Sequence, residues 1–415
     1  MSESRRGLAV PRASAGDCSM LSRARHLDRR IAARVLFAAT ALLAGLCSIG
    51  RPDDSRDVPT DSPIIGKFAV GKCGRPILLP ITLQDASASF LLDTGASCSA
   101  IDLTLRELLG EPRGTRTLRT SVGPTRVKTY AWPQAVLGNR PLRTDSSVSC
   151  VDLSYLRRIG NVDVSGVIGM DILRNCRVLI DFDRGIVRFI DRLPEDRESL
   201  GTKIPIQFGE DGCPTISGRV ARDRAENFQI DTGADTNSLR DELYDELLDR
   251  NLVVTKSSYA TGTAAGDVRG ERGRLHIFAI GPFTRKQMRF SRMNPSALGR
   301  QYLARFRVTF DFPGEAVYLR EGEQFNQPEP RATCGLAINW VDGAVQVQGV
   351  QKDGPGEKAG IRAQDVLVRV AGKPAEEFDH FELRQLLTSV GGRKVPLTIR
   401  RAGRDIDVEL TLNED

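Results

Sequence analysis

The sequence predicts a mainly β protein, in which two similar β lobes are followed by a small α+β domain. Short apolar or alternating runs, bounded by Gly, Pro and Asp, dominate residues 64–320 and favour strands over a βαβ alternation. An internal repeat divides this region into two halves. Residues 332–415 carry a separate pattern of one helix among several strands. These three observations define the fold class.

Length and charge limit the possible functions. A chain of 415 residues with 40% hydrophobic residues is long enough for two or three domains with apolar cores. The net charge is +6, but residues 1–34 alone contain eight arginines against three acidic residues. The rest of the chain is close to neutral, so nothing favours nucleic acid as a partner.

Residues 1–50 are predicted to be a signal peptide. The arginine-rich start precedes the uncharged run Val35–Gly50, "VLFAATALLAGLCSIG". As a helix this run would span about 24 Å, less than the roughly 30 Å hydrocarbon core of a bilayer. A short uncleaved anchor is the alternative. Both interpretations place the remaining chain in the periplasm or cell envelope, with membrane contact only through this segment.

Polar, Pro- or Gly-bearing breaks define the domain boundaries. Residues 51–63 form a linker, and breaks at 193–203 and 321–331 leave segments 64–192, 204–320 and 332–415. The cysteines beyond the leader lack the spacing of a metal site, and we expect neither a metal nor a cofactor. We expect buried thiols, or one or two disulfides, among Cys73, Cys98, Cys150, Cys176, Cys213 and Cys334.

The repeat is marked by two copies of one motif. "FLLDTGAS" covers Phe90–Ser97, and "FQIDTGAD" covers Phe228–Asp235. Further on, residues 166–190 and 296–320 resemble each other, with Gly169 and Gly299 at equivalent positions. Landmarks recurring in the same order indicate that 64–192 and 204–320 are related lobes.

Each motif places an aspartate directly after an apolar strand, where a carboxylate is costly to bury alone. The following Gly permits a tight turn, and the Thr hydroxyl can hold that turn in place. If a pseudo-twofold axis brings Asp93 and Asp231 together, the two carboxyls must share a proton. One carboxylate can then activate a water while the other protonates a substrate carbonyl, which is chemistry that hydrolyses amides.

At these residues the sequence resembles the retropepsin-like aspartic proteases. Each half carries the family's apolar-Asp-Thr-Gly-Ala motif and its later apolar-apolar-Gly landmark. The resemblance implies two retropepsin-like β-barrel lobes that form a pseudo-twofold bilobal protease in one chain. It implies Asp93 and Asp231 as catalytic residues, and Thr94 and Thr232 as a reciprocal grip. The predicted supporting residues are Thr94, Gly95, Ala96, Thr232, Gly233 and Ala234.

Several other elements are predicted in the two lobes. Glycine-bearing hairpins at 120–132 and 259–273 are candidate flaps over a substrate, with ordinary surface hairpins as the alternative. Short helices are expected at 103–110, at 240–251 and after each glycine landmark. His276 is expected in the core or at a strand flank, and Cys98 is expected to be buried rather than reactive.

Residues 332–415 resemble a PDZ domain of the kind found in bacterial envelope proteases. The stretch 353–378, "DGPGEKAGIRAQDVLVRVAGKPAEEF", carries the resemblance, and the helix at 381–390 with two later strands completes it. The resemblance implies binding of an extended C-terminal peptide beside a helix. The candidate carboxylate loop has Ala337 where the family usually has a second glycine, and the predicted binding residues are Gly335, Leu336, Ala337 and Ile338. His380, just before the helix, is a further candidate contact.

Together these features predict an exported aspartic endopeptidase that acts on polypeptides and recruits substrates or partners through a PDZ domain. We expect a monomer that contains an intramolecular pseudodimer, with a domain-swapped dimer as the alternative. The competing functional hypothesis is a catalytically silent peptide-binding protein of the envelope, built on the same folds.

Overall fold

The computed structural model describes residues 64–414 apart from 73, 121–122, 222–223, 264–265, 330 and 342. The predicted signal peptide, the linker 51–63, Cys73 and the tips of both candidate flaps therefore lie outside the described residues. Within the described part, no helix combines the length and apolar character needed to cross a membrane.

The described part of the first half contains twelve strands and two short α-helices. The helices are α1 (Ser154–Gly160) and α2 (Met170–Leu173). The strands are β1 (Ile64–Ala69), β2 (Leu78–Leu83), β3 (Ala86–Leu92), β4 (Ala100–Asp102), β5 (Gly114–Thr120), β6 (Gly123–Tyr130), β7 (Ala135–Leu137), β8 (Arg140–Leu142), β9 (Val148–Val151), β10 (Gly166–Ile168), β11 (Arg177–Asp181) and β12 (Ile186–Ile190).

The second half repeats this composition with longer hairpin strands. Its helices are α3 (Asp241–Asp249) and α4 (Arg300–Leu303). Its strands are β13 (Thr202–Pro205), β14 (Gln207–Phe208), β15 (Pro214–Val220), β16 (Arg224–Ile230), β17 (Ser238–Leu239), β18 (Val253–Thr263), β19 (Gly266–Ile280), β20 (Phe283–Arg292), β21 (Ala297–Leu298), β22 (Phe306–Asp311) and β23 (Ala316–Glu321).

The last segment is a small α+β domain. Its helices are α5 (Pro355–Lys358) and α6 (His380–Leu387). Its strands are β24 (Ala332–Thr333), β25 (Leu336–Val341), β26 (Ala344–Val350), β27 (Val366–Val370), β28 (Lys373–Pro374), β29 (Lys394–Arg401), β30 (Arg404–Thr411) and β31 (Asn413–Glu414).

Each half builds its own barrel-like sheet from alternating strands. In β2, Leu79, Ile81 and Leu83 are buried on one face, as the period of two requires. The strand order is β5-β6-β9-β4-β10-β3-β2-β7-β8 in the first half and β14-β15-β16-β21-β17-β20-β19-β18 in the second. In both sheets the strand that carries the Asp-Thr-Gly motif pairs in parallel with the strand before the glycine landmark.

A six-stranded sheet of order β1-β12-β11-β22-β23-β13 joins the two halves. Its centre is the antiparallel pair β11–β22, in which Leu179 lies opposite Thr309. Two ion pairs flank this centre: Arg177 Nε lies 2.8 Å from Asp311 Oδ1, and Arg307 Nε lies 3.6 Å from Asp181 Oδ2. Equivalent residues of the repeat thus face each other across a pseudo-twofold axis.

The third domain has its own hydrophobic core around residues such as Trp340, Leu383 and Ile399. Its main sheet runs β25-β26-β27-β29-β30, so β25 is an edge strand. Helix α6 begins with a capping box, because Asp379 accepts from the Glu382 amide and Glu382 accepts from the Asp379 amide. By the resemblance to a PDZ domain, β25 and α6 would form the two walls of the peptide groove.

The structure confirms the mainly β fold class and corrects several details. The short helix predicted at 103–110 is present as a 3₁₀ helix, Leu103–Leu109. Strand β13 begins at Thr202, inside the predicted break at 193–203, because it completes the sheet between the halves. His380 is the first residue of α6 rather than a residue before it. The hairpin strands begin at 114 and 253, earlier than the predicted 120 and 259.

Candidate active site

Asp93 and Asp231 each lie one residue beyond the end of a buried strand. Their amides donate to Ile168 O and Leu298 O, at 3.0 Å in both cases. The parallel neighbour that ends at the glycine landmark therefore fixes the backbone at each aspartate. The sequence directs this because Phe90, Leu92, Phe228 and Ile230 are buried and fix the strand register.

Thr94 and Thr232 hold the two turns together. Thr94 Oγ1 donates to Ile230 O at 2.6 Å, and Thr232 Oγ1 donates to Leu92 O at 2.8 Å. Each hydroxyl also accepts the amide of the other threonine at 3.0 Å. Both side chains are fully buried. Their hydroxyls satisfy backbone groups of the opposite half, so neither turn is complete without the other.

The glycines of the two motifs bring the carboxyls together. A Cβ atom at Gly95 would lie 2.4 Å from Asp231 Cγ, and one at Gly233 would lie 2.4 Å from Asp93 Cγ. No side chain fits at such a distance, so glycine is required for the close approach of each turn to the opposite aspartate. The two carboxyls lie within hydrogen-bonding reach of each other.

The two carboxyls are not held identically. Asp93 Oδ1 accepts the amide of Gly95, two residues on, whereas Asp231 Oδ1 accepts the amide of Ala234, three residues on; both bonds are 2.8 Å. The predicted supporting residues Gly95 and Ala234 thus contribute backbone donors. Ala96 acts through its carbonyl, which accepts the Met170 amide at 2.8 Å.

Burial and proximity shift the titration of the pair. Burial, followed by the negative charge of Asp231, raises the pKa of Asp93 well above its usual range. Burial also raises the pKa of Asp231, although the Ala234 amide and the Arg300 guanidinium oppose the rise. The arrangement favours a pair of carboxyls that shares one proton.

The glycine landmarks support the turns from behind. A Cβ at Gly169 would lie 2.7 Å from the Cys98 carbonyl carbon, and one at Gly299 would lie 2.4 Å from Thr236 O. The Gly169 amide donates to Ser99 Oγ at 3.0 Å, and the Gly299 amide donates to an Asn237 side-chain oxygen at 3.2 Å. Each landmark therefore packs directly on the backbone of the Asp-Thr-Gly turn in its own half.

Arg300 is a site residue that sequence reasoning missed. It is 3% exposed, and its Nη1 donates to Thr232 O at 2.6 Å and to Gly233 O at 2.7 Å. Its Nε donates to Gly74 O at 2.9 Å, and its Nη2 pairs with Asp235. The available signal was an arginine directly after Gly299, where the first half has Met170.

The first-half turn is held by different groups. The Gly95 carbonyl accepts from Gln229 Nε2 at 3.2 Å and from Cys213 Sγ at 3.3 Å, both of which belong to the second half. Ser97, the counterpart of Asp235, is exposed. Asp171 instead accepts from the Ser99 amide and hydroxyl. The two halves therefore share their backbone geometry but differ in the side chains around it.

The candidate flaps are hairpins, as their glycines suggest. In the first half β5 pairs with β6, and in the second β18 pairs with β19 over most of its length. The structure does not describe either tip, so their relation to a substrate stays a prediction. Strand β18 lies close to α1 of the first half, so the second hairpin crosses toward the other lobe.

The remaining candidates lie outside the carboxyl pair. His276 is exposed on β19, which corrects the expectation of a core position. Cys98 is half-buried rather than buried, with Sγ 4.0 Å from Ser149 Oγ. The five described cysteines are free thiols. Among the described residues, no group of three His, Cys, Asp or Glu side chains is placed to hold a metal ion.

The predicted PDZ residues form the start of the edge strand. Gly335 has a φ of 66° and precedes β25, which contains Leu336, Ala337 and Ile338. A Cβ at Gly335 would lie 3.0 Å from Pro355 Cδ, so the loop is tight at this point. Helix α1 of the first half lies against both β25 and α6. The groove between β25 and α6 thus faces the lobes.

Comparison with known families agrees with this geometry. Residues 79–172 match the model of the aspartyl protease family. The matched region contains the first aspartyl protease motif, with Asp93, and its glycine landmark, Gly169. Residues 346–401 match the model of the PDZ domain, which includes helix α6. No curated protein matches the chain.

Proposed function

We propose that this protein is an aspartic endopeptidase that uses Asp93 and Asp231 to hydrolyse peptide bonds in polypeptides. The observation that carries the proposal is the pair of interlocked turns, in which each glycine backs the opposite carboxyl at a distance that admits no side chain. The aspartyl protease family match covers the first turn. The equivalent backbone contacts of the second turn support its assignment as the other half of the site.

The shared proton defines the roles of the two carboxyls. With one proton on the pair, the ionised carboxylate takes a proton from a bound water as that water attacks the substrate carbonyl carbon. The protonated carboxyl donates its proton to the carbonyl oxygen, which gives a neutral tetrahedral diol. Proton transfer to the amide nitrogen then allows the carbon–nitrogen bond to break, and the pair returns to one proton.

The chain's location and the role of its last domain belong to the same proposal. An export signal in residues 1–50 would place the protease in the cell envelope, outside the cytoplasm. The PDZ domain would bind extended C-terminal peptides along the edge strand β25, by strand addition. N-terminal sequencing of the mature protein distinguishes a cleaved signal peptide, which removes Val35–Gly50, from an uncleaved anchor, which retains it, and cell fractionation tests the export that both require.

The test of the catalytic proposal is cleavage of a peptide library by wild type, Asp93→Asn and Asp231→Asn. We expect each variant to lose roughly 10²- to 10⁴-fold in kcat, because each removes one proton-transfer group. The control is Asp191→Asn, an exposed aspartate, which should cleave like wild type. Peptide binding by wild type without turnover would instead favour the silent peptide-binding protein.

A further inference from the structure

Helix α6 of the PDZ domain packs against the catalytic lobes through charged residues. Arg75 of the first half places Nη2 2.9 Å from Asp379 Oδ2 and 2.8 Å from Glu382 Oε1. Its guanidinium also lies 5.7 Å from the centre of the Phe381 ring. The first turn of α6 is therefore fixed to a segment that adjoins Gly74, one of the acceptors of Arg300.

One turn further along α6, Arg384 contacts the second catalytic turn. Its Nη1 lies 3.1 Å from Asp235 Oδ2, while the other oxygen of Asp235 pairs with Arg300. Asp235 follows the predicted catalytic Asp231 by four residues. One carboxylate is thus divided between an arginine of its own lobe and an arginine of the PDZ domain.

Arg300 continues this connection to the dyad. Its guanidinium holds the carbonyls of Thr232 and Gly233, and its charge opposes the rise in the pKa of both aspartates. Contacts run without a gap from Arg384 through Asp235 and Arg300 to the turn that carries Asp231. In the described part of the first half, Met170 and Ser97 occupy the equivalent positions, so its turn has no equivalent arginine pair.

The Arg384–Asp235 ion pair is too exposed to contribute much to the free energy of folding, which favours a role in the geometry of the site. The Arg384 and Asp235 side chains are 37% and 35% exposed, and ion pairs this open to solvent contribute little to the free energy of folding. The reaction rate is more sensitive to the orientation of the site's groups, since a misplacement of about 1 Å at an active site can cost about 10²-fold in rate. A second arginine on the free oxygen fixes the rotation of the Asp235 carboxylate, and therefore the place of Arg300.

Two arginines, Arg300 and Arg384, dominate the charge around Asp235. Burial by itself would raise the pKa of Asp235, but the charges of Arg300 and Arg384 outweigh burial and lower it to about 2. His380 lies on the same face of α6 as Arg384, and burial lowers its pKa, which favours the neutral ring. Asp379 and Glu382 at the start of α6 both pair with Arg75.

We propose that Arg384 of the PDZ domain is a positioning residue of the protease site, acting through Asp235 and Arg300 on the turn that carries Asp231. This proposal rests on the proposed protease function. The PDZ domain then completes the catalytic machinery in addition to any recruiting role. Loss of Arg384 removes a positive charge near the dyad, so ionisation of either aspartate becomes less favourable and both limbs of the pH–rate profile move to higher pH.

The experiment compares full-length wild type with Arg384→Gln, Arg384→Lys and the control Arg404→Gln. Arg404 is an exposed arginine of the same domain, remote in sequence from α6. We expect Arg384→Gln to lower kcat by roughly 10- to 100-fold with KM nearly unchanged, and to shift both pH limbs upward. Arg384→Lys should recover part of kcat and the wild-type pH profile, because it keeps the charge. Arg404→Gln should match wild type.

A second readout does not depend on turnover. Carboxyl ¹³C resonances of labelled aspartate, assigned with Asp93→Asn and Asp231→Asn, report the titration of the pair directly. We expect the titration to move to higher pH in Arg384→Gln and to stay in place in Arg404→Gln. Identical titrations in wild type and Arg384→Gln would overturn the positioning role. Absence of turnover in wild type would instead contradict the proposed function, and the resonances would still decide whether Arg384 acts on the pair.

Discussion

At the residue scale, the proposed site consists of two aspartates. Burial of either carboxylate alone costs free energy, whereas the two together can share a proton. Burial raises the pKa of both Asp93 and Asp231, and the negative charge of Asp231 raises the pKa of Asp93 further. The Gly95 and Gly233 positions impose this proximity, since neither leaves room for a Cβ. The stability that the fold gives up at this pair is therefore a direct consequence of the site's geometry.

The raised pKa of Asp93 predicts a pH-dependent stability difference between wild type and Asp93→Asn. Between the usual and the raised pKa, the folded state holds a proton that the unfolded state has released. The contribution of Asp93 to the free energy of unfolding therefore falls as pH rises, by at most about 1.4 kcal/mol per pH unit. Asparagine does not titrate, so the variant lacks this pH dependence. In thermal unfolding from pH 4 to 7, the Tm of Asp93→Asn should increase relative to that of wild type as the pH rises. The Tm of Asp191→Asn should change with pH as that of wild type does. A constant difference across this range would contradict the raised pKa.

Local sequence was sufficient to predict the residues of the two motifs, because their chemistry and turn geometry are contained in four consecutive residues. Arg300 and Arg384 could not be found this way. Their partners, Gly74 and Asp235, lie far away in sequence, and an arginine on a short helix has the same local pattern whether it faces solvent or a catalytic turn.

At the scale of elements, the site is a pair of turns, and a parallel pair of strands in each half holds the turn of that half in place. The reciprocal bonds of Thr94 and Thr232 cross between the halves, and the glycine landmarks close each turn from behind. None of the four glycines at the turns and landmarks can accept a Cβ, because the nearest atoms to it would be the opposite aspartate's carboxyl at the turns and backbone atoms at the landmarks.

Gly95→Ala tests how closely the turns are interlocked. The new methyl group would meet Asp231 Cγ at 2.4 Å, so the turns must separate. We expect turnover to fall at least about 10²-fold, as for a reacting group displaced by 1 Å, together with a lower Tm. Gly114→Ala is the matched control, since its nearest contact is an ordinary 3.6 Å to Thr129 Oγ1. Wild-type activity in Gly95→Ala would show that the turns are further apart than described.

Element prediction succeeded where hydrophobic periodicity was strong and for the short helices after Gly169 and Gly299, but it missed helix α1. The strands that carry the motifs and the helix Asp241–Asp249 were anticipated because their apolar residues recur at a clear period. Helix α1, Ser154–Gly160, was missed because it spans two turns and has no side-chain cap. Residues 103–109 wind as a 3₁₀ helix, which the same pattern does not distinguish from an α-helix.

At the scale of the whole molecule, the PDZ domain shares surfaces with the two preceding β lobes. Helix α1 lies against β25 and α6, which are the two walls of the PDZ groove. Sequence could identify the domain from its turns and strands, but not its docking, because the interface consists of single charged residues without a local pattern.

Filling of the PDZ groove should therefore disturb α1. A peptide with a free carboxyl terminus that adds to β25 needs the space beside the edge strand that α1 approaches. We expect the amides of residues 154–160 to exchange hydrogen faster when such a peptide is bound to the full-length protein, by several-fold. The amides of α3, on the second half, serve as the internal control and should not change. Unchanged exchange in α1 would mean that the groove binds peptide without moving this helix.

Mixing of variants tests whether the two halves of one chain supply both carboxyls of one site. Peptide cleavage is measured for wild type, for Asp93→Asn and Asp231→Asn separately, and for an equimolar mixture refolded together. The account predicts turnover by wild type alone, because each variant chain lacks one carboxyl of its own site. Cleavage by either variant at the wild-type rate would contradict the catalytic pair, and recovery of activity in the mixture would show that the pair forms between chains.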